Sequence, residues 1–260
     1  MVKDHVLDRY LSGLIEGDRS YCQTVIEETL QSGVPANQVY MDVIWPIMNE
    51  VDRLYRRDII SSVQESFATR INRMIVDQLQ NKLPRKPQVT KKIVVASATS
   101  EQGELGAQMI ADLFESNGWQ ARFLGSSVNN DDVAEFVQSY QPDILVIFGM
   151  QANKAPDIRQ LIDKLKTINA CPHMQVMLSG GVFGRAEGLW EEIGADLYAE
   201  TPDQAVRIAN SDSEDIPKPN RTINRRKRKK EVAVAPTDSN ETEPEAADNA
   251  ETAEKSEVPA

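Results

Sequence analysis

Residues 93–109, IVVASATSEQGELGAQM, constrain the fold more than any other part of the chain. The stretch opens with Ile93-Val94-Val95-Ala96, a short apolar run rich in β-branched residues that reads as a buried strand. Residues 97–103 are small and polar, and an apolar stripe at helical spacing follows at Leu105, Met109, Leu113 and Phe114. Strand, loop and helix in that order are the opening unit of a parallel α/β sheet. Ligands in such sheets bind at the loop leaving the carboxyl end of a strand. A helix N-terminus there offers free N–H groups and a positive dipole end.

The same alternation continues down the chain. Further strands are expected at residues 121–124, 144–148, 175–178 and 197–199, the one at 144–148 continuous and apolar as a central parallel strand should be. Helices are expected between them, with Asn117-Gly118 ending the first, Asn130 or Asp131 capping the second, and others near 155–167, 186–193 and from Pro202. Five β/α units predict a flavodoxin-like doubly wound five-stranded parallel sheet over residues 88–212.

Residues 1–83 carry a different period. Apolar residues recur at three and four spacing in four runs: Val6 to Leu14, Cys22 to Leu30, Val39 to Leu54, and Val63, Phe67, Ile71, Ile75 and Leu79. Short breaks separate them, so a four-helix antiparallel bundle is expected, joined through a Pro-rich linker at 84–87. By periodicity alone it is a helical dimerisation or scaffold module. Residues 213–260 are poor in apolar side chains and are expected to be a disordered tail.

Charge and composition exclude several functions. The net charge is −11, while the basic run at 218–230 and the acidic run after it cancel, so the folded part carries the negative charge. Broad nucleic-acid binding by that part is excluded, leaving weak contact through the basic cluster of residues 225–230. Two distant cysteines, Cys22 and Cys171, point to a reducing cytoplasm. No membrane span is expected, nor a secretory signal at the N-terminus. The two histidines, His5 and His173, form no metal-binding motif, and no Ser-His-Asp or Cys-His arrangement is visible, so the chain is not expected to be an enzyme. The third strand ends in Phe148-Gly149, without the Asp a phospho-receiver needs, and the first loop lacks a full G-x-G-x-x-G dinucleotide signature.

The loop does carry a partial signature. Cobalamin-binding domains, as in methionine synthase and the light-sensing cobalamin-dependent repressors, have Asp/Glu-x-His-x-x-Gly after their first strand. This chain resembles them with Glu101-x-Gly103-x-x-Gly106, where Gly103 replaces the histidine that is the family's lower cobalt ligand. The bundle also resembles their helical cap, in which Trp, nine residues and Glu-His cover the corrin. Here Tyr55 is followed after nine residues by Glu65-Ser66. Phe148-Gly149-Met150 stands where the family has Ser-x-Leu or Ser-x-Thr, while Gly180-Gly181, Gly194-Ala195-Asp196 and Pro202-x-x-Ala205 are kept. The resemblance spans about residues 19–210.

It implies a cobalamin site on Tyr55, Glu65, Ser100, Glu101, Gly103, Gly106, Phe148, Gly149, Ser179, Gly180 and Gly181. The nucleotide tail of the vitamin would lie in a slot between the first strand, the third strand and the Gly-Gly loop, with no histidine on cobalt and the vitamin's own benzimidazole as one substitute. The residues also have plainer readings. Tyr55 suits a half-buried helix end, Glu101 the positive end of a helix, and Gly180-Gly181 a tight turn. Three functions follow in order: a non-enzymatic sensory or regulatory module of cobalamin-binding type; a vitamin-free adaptor or anti-repressor working through protein contacts; and a corrinoid carrier for methyl transfer, ranked last because such carriers cycle cobalt through histidine-ligated states. A protein partner or homo-oligomer through the bundle is expected. No DNA-reading domain is expected before the bundle.

Overall fold

A computed structural model describes residues 4–98, 101–169, 171–186 and 188–211. The expected tail lies outside the described residues.

The cap begins with α1 (Asp4–Glu16) and α2 (Arg19–Gln31). Gly17 turns between them at φ +75°, and the Asp18 carboxylate accepts from the Tyr21 N–H to cap α2. The third run is interrupted. A short α3 (Ala36–Val39) widens into a π-turn at Tyr40–Ile44 before α4 (Trp45–Arg56). Pro46 has no N–H to give the preceding turn, and the Trp45 N–H reaches back five residues to the Tyr40 carbonyl. α5 (Ser62–Gln80) starts with a capping box between Ser61 and Gln64. Its expected inward stripe is only partly inward. Ile71, Ile75 and Leu79 are buried, but Val63 and Phe67 are 58% and 44% exposed, Phe67 resting part of its ring against Gly17 at the α1–α2 turn.

The sheet has five parallel strands: β1 (Lys92–Ser97), β2 (Gln120–Gly125), β3 (Ile144–Phe148), β4 (Gln175–Ser179) and β5 (Leu197–Ala199), in the order β2-β1-β3-β4-β5. This is the flavodoxin-like order expected. The connecting helices are α6 (Glu101–Ser116), α7 (Asn130–Tyr140), α8 (Ala155–Ile168), α9 (Gly181–Arg185), α10 (Leu189–Ile193) and α11 (Pro202–Asn210). Two details differ from expectation. Asn129 caps α7, its Oδ1 accepting from the Asp131 and Asp132 N–H groups. The Gly-Gly loop is the entry of a one-turn helix, with Gly180 as N-cap at φ +107°.

Strand alternation divides the core. Val94, Leu145, Ile147, Val176 and Leu178 face α7, α8 and α9. Ile93, Val95, Val146, Phe148 and Met177 face α6 and α11, and that layer is continuous with the cap core of Tyr40, Trp45, Ile75 and Leu79. The cap therefore shares its apolar core with one face of the sheet. Among the described residues no helix is long and apolar enough to cross a membrane.

Candidate functional site

Strand order reverses between β1 and β3, so their carboxyl ends open the crevice where an open α/β sheet takes ligands. β1 ends at Ser97, paired with Phe148, and the Ala98 N–H donates to the Phe148 carbonyl at 2.9 Å. β3 and β4 end side by side as Phe148 and Ser179, and the Gly149 N–H donates to the Ser179 carbonyl at 2.9 Å. Gly106, Phe148, Gly149, Ser179, Gly180 and Gly181 thus meet at this crevice. Ser100 and the side chain of Glu101 lie outside the described residues, while the backbone of Glu101 and Gly103 forms the first turn of α6.

The crevice is filled from within. The Phe148 ring is fully buried and lies on the bare Cα of Gly106. A Cβ there would stand 2.4 Å from Phe148 Cζ. The Trp45 ring meets Phe148 edge-on from the cap, centroids 6.2 Å apart. A Cβ on Gly180 would come 2.3 Å from the Gly149 carbonyl oxygen, so this glycine is required by the turn itself. The Ser179 hydroxyl is wholly buried and has no hydrogen-bond partner among the described residues. An orphaned hydroxyl in a glycine-walled crevice is the lining a polar ligand edge would want. The ring beside it takes that ligand's volume. As it stands, the crevice does not fit a nucleotide tail.

Cobalt would find no histidine there. His5 is exposed on α1, and His173 is exposed before β4, at the opposite end of the sheet. No cluster of metal-ligating side chains occurs among the described residues.

The cap is held over this edge by residues that sequence reasoning missed. Asp52 on α4 faces Arg185 of α9 at 4.0 Å, and Arg185 donates to the Met150 carbonyl at 2.7 Å. Partial burial, with Arg56 nearby, depresses the Arg185 pKa. On α5, Arg73 pairs with Glu104 at 3.4 Å, and Glu104 also accepts from the Ser126 hydroxyl at 2.7 Å. Tyr55, at the end of α4, is 41% exposed, and Glu65 accepts from the Thr69 hydroxyl at 3.3 Å. Beside Arg73 and Glu104 lies an open cleft of about 730 Å³, also lined by Arg19, Thr69, Arg70 and Asp77. Farther along the seam, Asp112 of α6 is buried against the cap. Its carboxyl meets the Tyr40 hydroxyl at 3.0 Å and accepts from Gln80 at 2.9 Å, and burial pushes its pKa up to about 7. The only sequence signal for these residues was a polar side chain interrupting an apolar helix face.

Two family models, each described as a B12 binding domain, match residues 6–80 and 91–207. A corrinoid protein of Desulfitobacterium hafniense is 23% identical over 79% of this chain and 96% of its own. Dimethylamine corrinoid protein 1 of Methanosarcina acetivorans is 25% identical over 62% of this chain and 76% of its own. The solved monomethylamine corrinoid protein of Methanosarcina barkeri superposes with a TM-score of 0.72 at 20% identity, over 80% of this chain and 98% of its own, which bears on the fold. These relatives are named for a corrinoid rather than for a catalysed reaction, in keeping with a module that is not itself an enzyme. With both the helical cap and the α/β domain matched, the chain belongs to the cobalamin-binding domain family, and cobalamin is the cofactor that membership implies.

Proposed function

We propose that the chain is a corrinoid carrier module. It takes cobalamin at the mouth between the cap and the carboxyl edge, without a protein ligand on cobalt, and serves a methyl-transferring protein partner. The observation that carries this reading is a match to a named corrinoid protein over 96% of that relative, cap and sheet together. It moves the carrier ahead of the sensory or regulatory module that ranked first on sequence. Bound cobalamin would supply a cobalt able to take up and release a methyl group. The chain's part is to bind and orient, through Tyr55 and Glu65 from the cap and the Gly149 and Gly181 backbone from the edge.

A second reading, a vitamin-free module working through protein contacts, is favoured by the Phe148 ring in the crevice and by apolar side chains left open on the cap, Tyr55, Ile59 and Val63. One experiment separates the two. The full chain is mixed in the dark with hydroxocobalamin and, separately, methylcobalamin, desalted, and its visible spectrum recorded. The carrier reading expects corrin bands near one per chain. A colourless protein peak with both forms rejects it in favour of the second.

A further inference from the structure

We infer that Phe148 is a built-in plug of the nucleotide-tail slot, so that any cobalamin this chain takes keeps its own benzimidazole on cobalt. The second half rests on the cobalamin reading above; the first stands on geometry alone.

Three observations carry it. Phe148 is the last residue of β3, at the point where strand order reverses, and its ring lies on the sheet face that packs against α6 and the cap. The ring is packed by two other elements. Gly106 lies against it so closely that an added Cβ would fall 2.4 Å from Cζ and 2.8 Å from Cε1, and Trp45 packs edge-on from the cap. The ring is fully buried. Finally, Ser179 pairs in register with Phe148 on the neighbouring strand, which puts both side chains on one sheet face. Its hydroxyl is buried with no partner there. Buried hydroxyls normally find one. A polar wall without a partner, beside a buried aromatic ring, is what remains when a ligand's place has been taken by the chain's own side chain. Gly103, standing where the family has its histidine, also offers no ligand to displace benzimidazole from cobalt. The missing ligand and the closed slot are two halves of one change.

The test uses the full chain, as wild type and as Phe148→Ala and Phe148→Leu, the leucine variant keeping more of the apolar volume should the alanine variant fail to fold. Thermal melts are recorded with and without free 5,6-dimethylbenzimidazole, the tail's base. A dose-dependent upward shift is expected in a folded variant and none in the wild type. An equal shift in the wild type, or no shift in any folded variant, overturns the plug. The wild type loaded with methylcobalamin is expected to give the spectrum of the benzimidazole-bound form. A spectrum of the form with benzimidazole off cobalt overturns the inference while leaving the carrier reading intact. If the wild type retains no cobalamin, the carrier reading fails, and the melts alone decide the plug.

Discussion

A methyl group on Gly106 would sit 2.4 Å from Phe148 Cζ. Gly106→Ala is therefore expected to destabilise the wild-type chain by about 1–2 kcal/mol, overpacking outweighing the roughly 1 kcal/mol that alanine gains over glycine inside a helix. In a Phe148→Ala background the clash is gone, and the same change is expected to stabilise by about 0.5–1 kcal/mol. Urea unfolding of the four proteins checks this; equal effects in both backgrounds would mean that the ring does not rest on Gly106. Ser179 supports a second expectation. Its hydroxyl is buried without a partner, so Ser179→Ala is expected to be neutral or stabilising, by up to about 1 kcal/mol. A clear loss of stability in the same unfolding assay would reveal a partner for that hydroxyl. At this scale the sequence was informative about identity and silent about contact. Gly103 and Phe148 stand out as departures from the cobalamin pattern. That Phe148 lands on Gly106, however, depends on where α6 crosses β3, and that is a tertiary fact no local pattern encodes.

Among the elements, strands were the most legible, because a continuous apolar run such as Ile144–Phe148 has few alternatives in a parallel sheet. Helix interiors were nearly as clear. Where sequence reasoning slipped, tertiary context had overridden a local period. The stripe of α5 continues through Val63 and Phe67, yet both stay largely exposed, with Phe67 resting on the Gly17 turn at the rim of the bundle. Val63→Gln is accordingly expected to change stability by less than about 0.5 kcal/mol, while Ile75→Ala, deep in the same stripe, is expected to cost about 2–5 kcal/mol. A comparable loss at Val63 in chemical denaturation would place that turn inside a core. Gly180-Gly181 was legible as a tight turn, but the one-turn helix it enters is too short to announce itself by period. The π-turn was hidden for a related reason: Pro46 marks an interruption of the ladder without saying whether the chain kinks or widens.

Cap and sheet share one apolar layer, and among the described residues one buried carboxyl, Asp112, crosses their seam. The hydrogen bonds around Asp112 indicate its protonation state. The Tyr40 hydroxyl lies 2.9 Å from the Val76 carbonyl and 3.0 Å from Asp112 Oδ2, and it has one proton to give. Both contacts are satisfied when Tyr40 donates to Val76 and a protonated Asp112 donates to Tyr40, while Gln80 donates to the other carboxyl oxygen. Burial drives the pKa up to about 7; Glu115 and Asp77 push the same way, and the bond from Gln80 opposes them. In the unfolded chain the group titrates near 4. An acid whose pKa is raised on folding stabilises the fold below the unfolded value, and that stability is lost as pH rises toward the folded value. Stability is thus expected to fall between about pH 4 and pH 7, by roughly 3–4 kcal/mol from this group. Asp112→Asn has a neutral side chain that can accept from Gln80 and donate to Tyr40 as the protonated acid does. It is expected to remove most of that slope and to leave the variant more stable than wild type at pH 8. Unfolding free energies measured at half-unit pH steps for both proteins test this, and parallel curves would show that Asp112 does not titrate in this range. Because the group lies where α5 and α6 meet, the loss should appear as one cooperative transition in which cap and sheet unfold together.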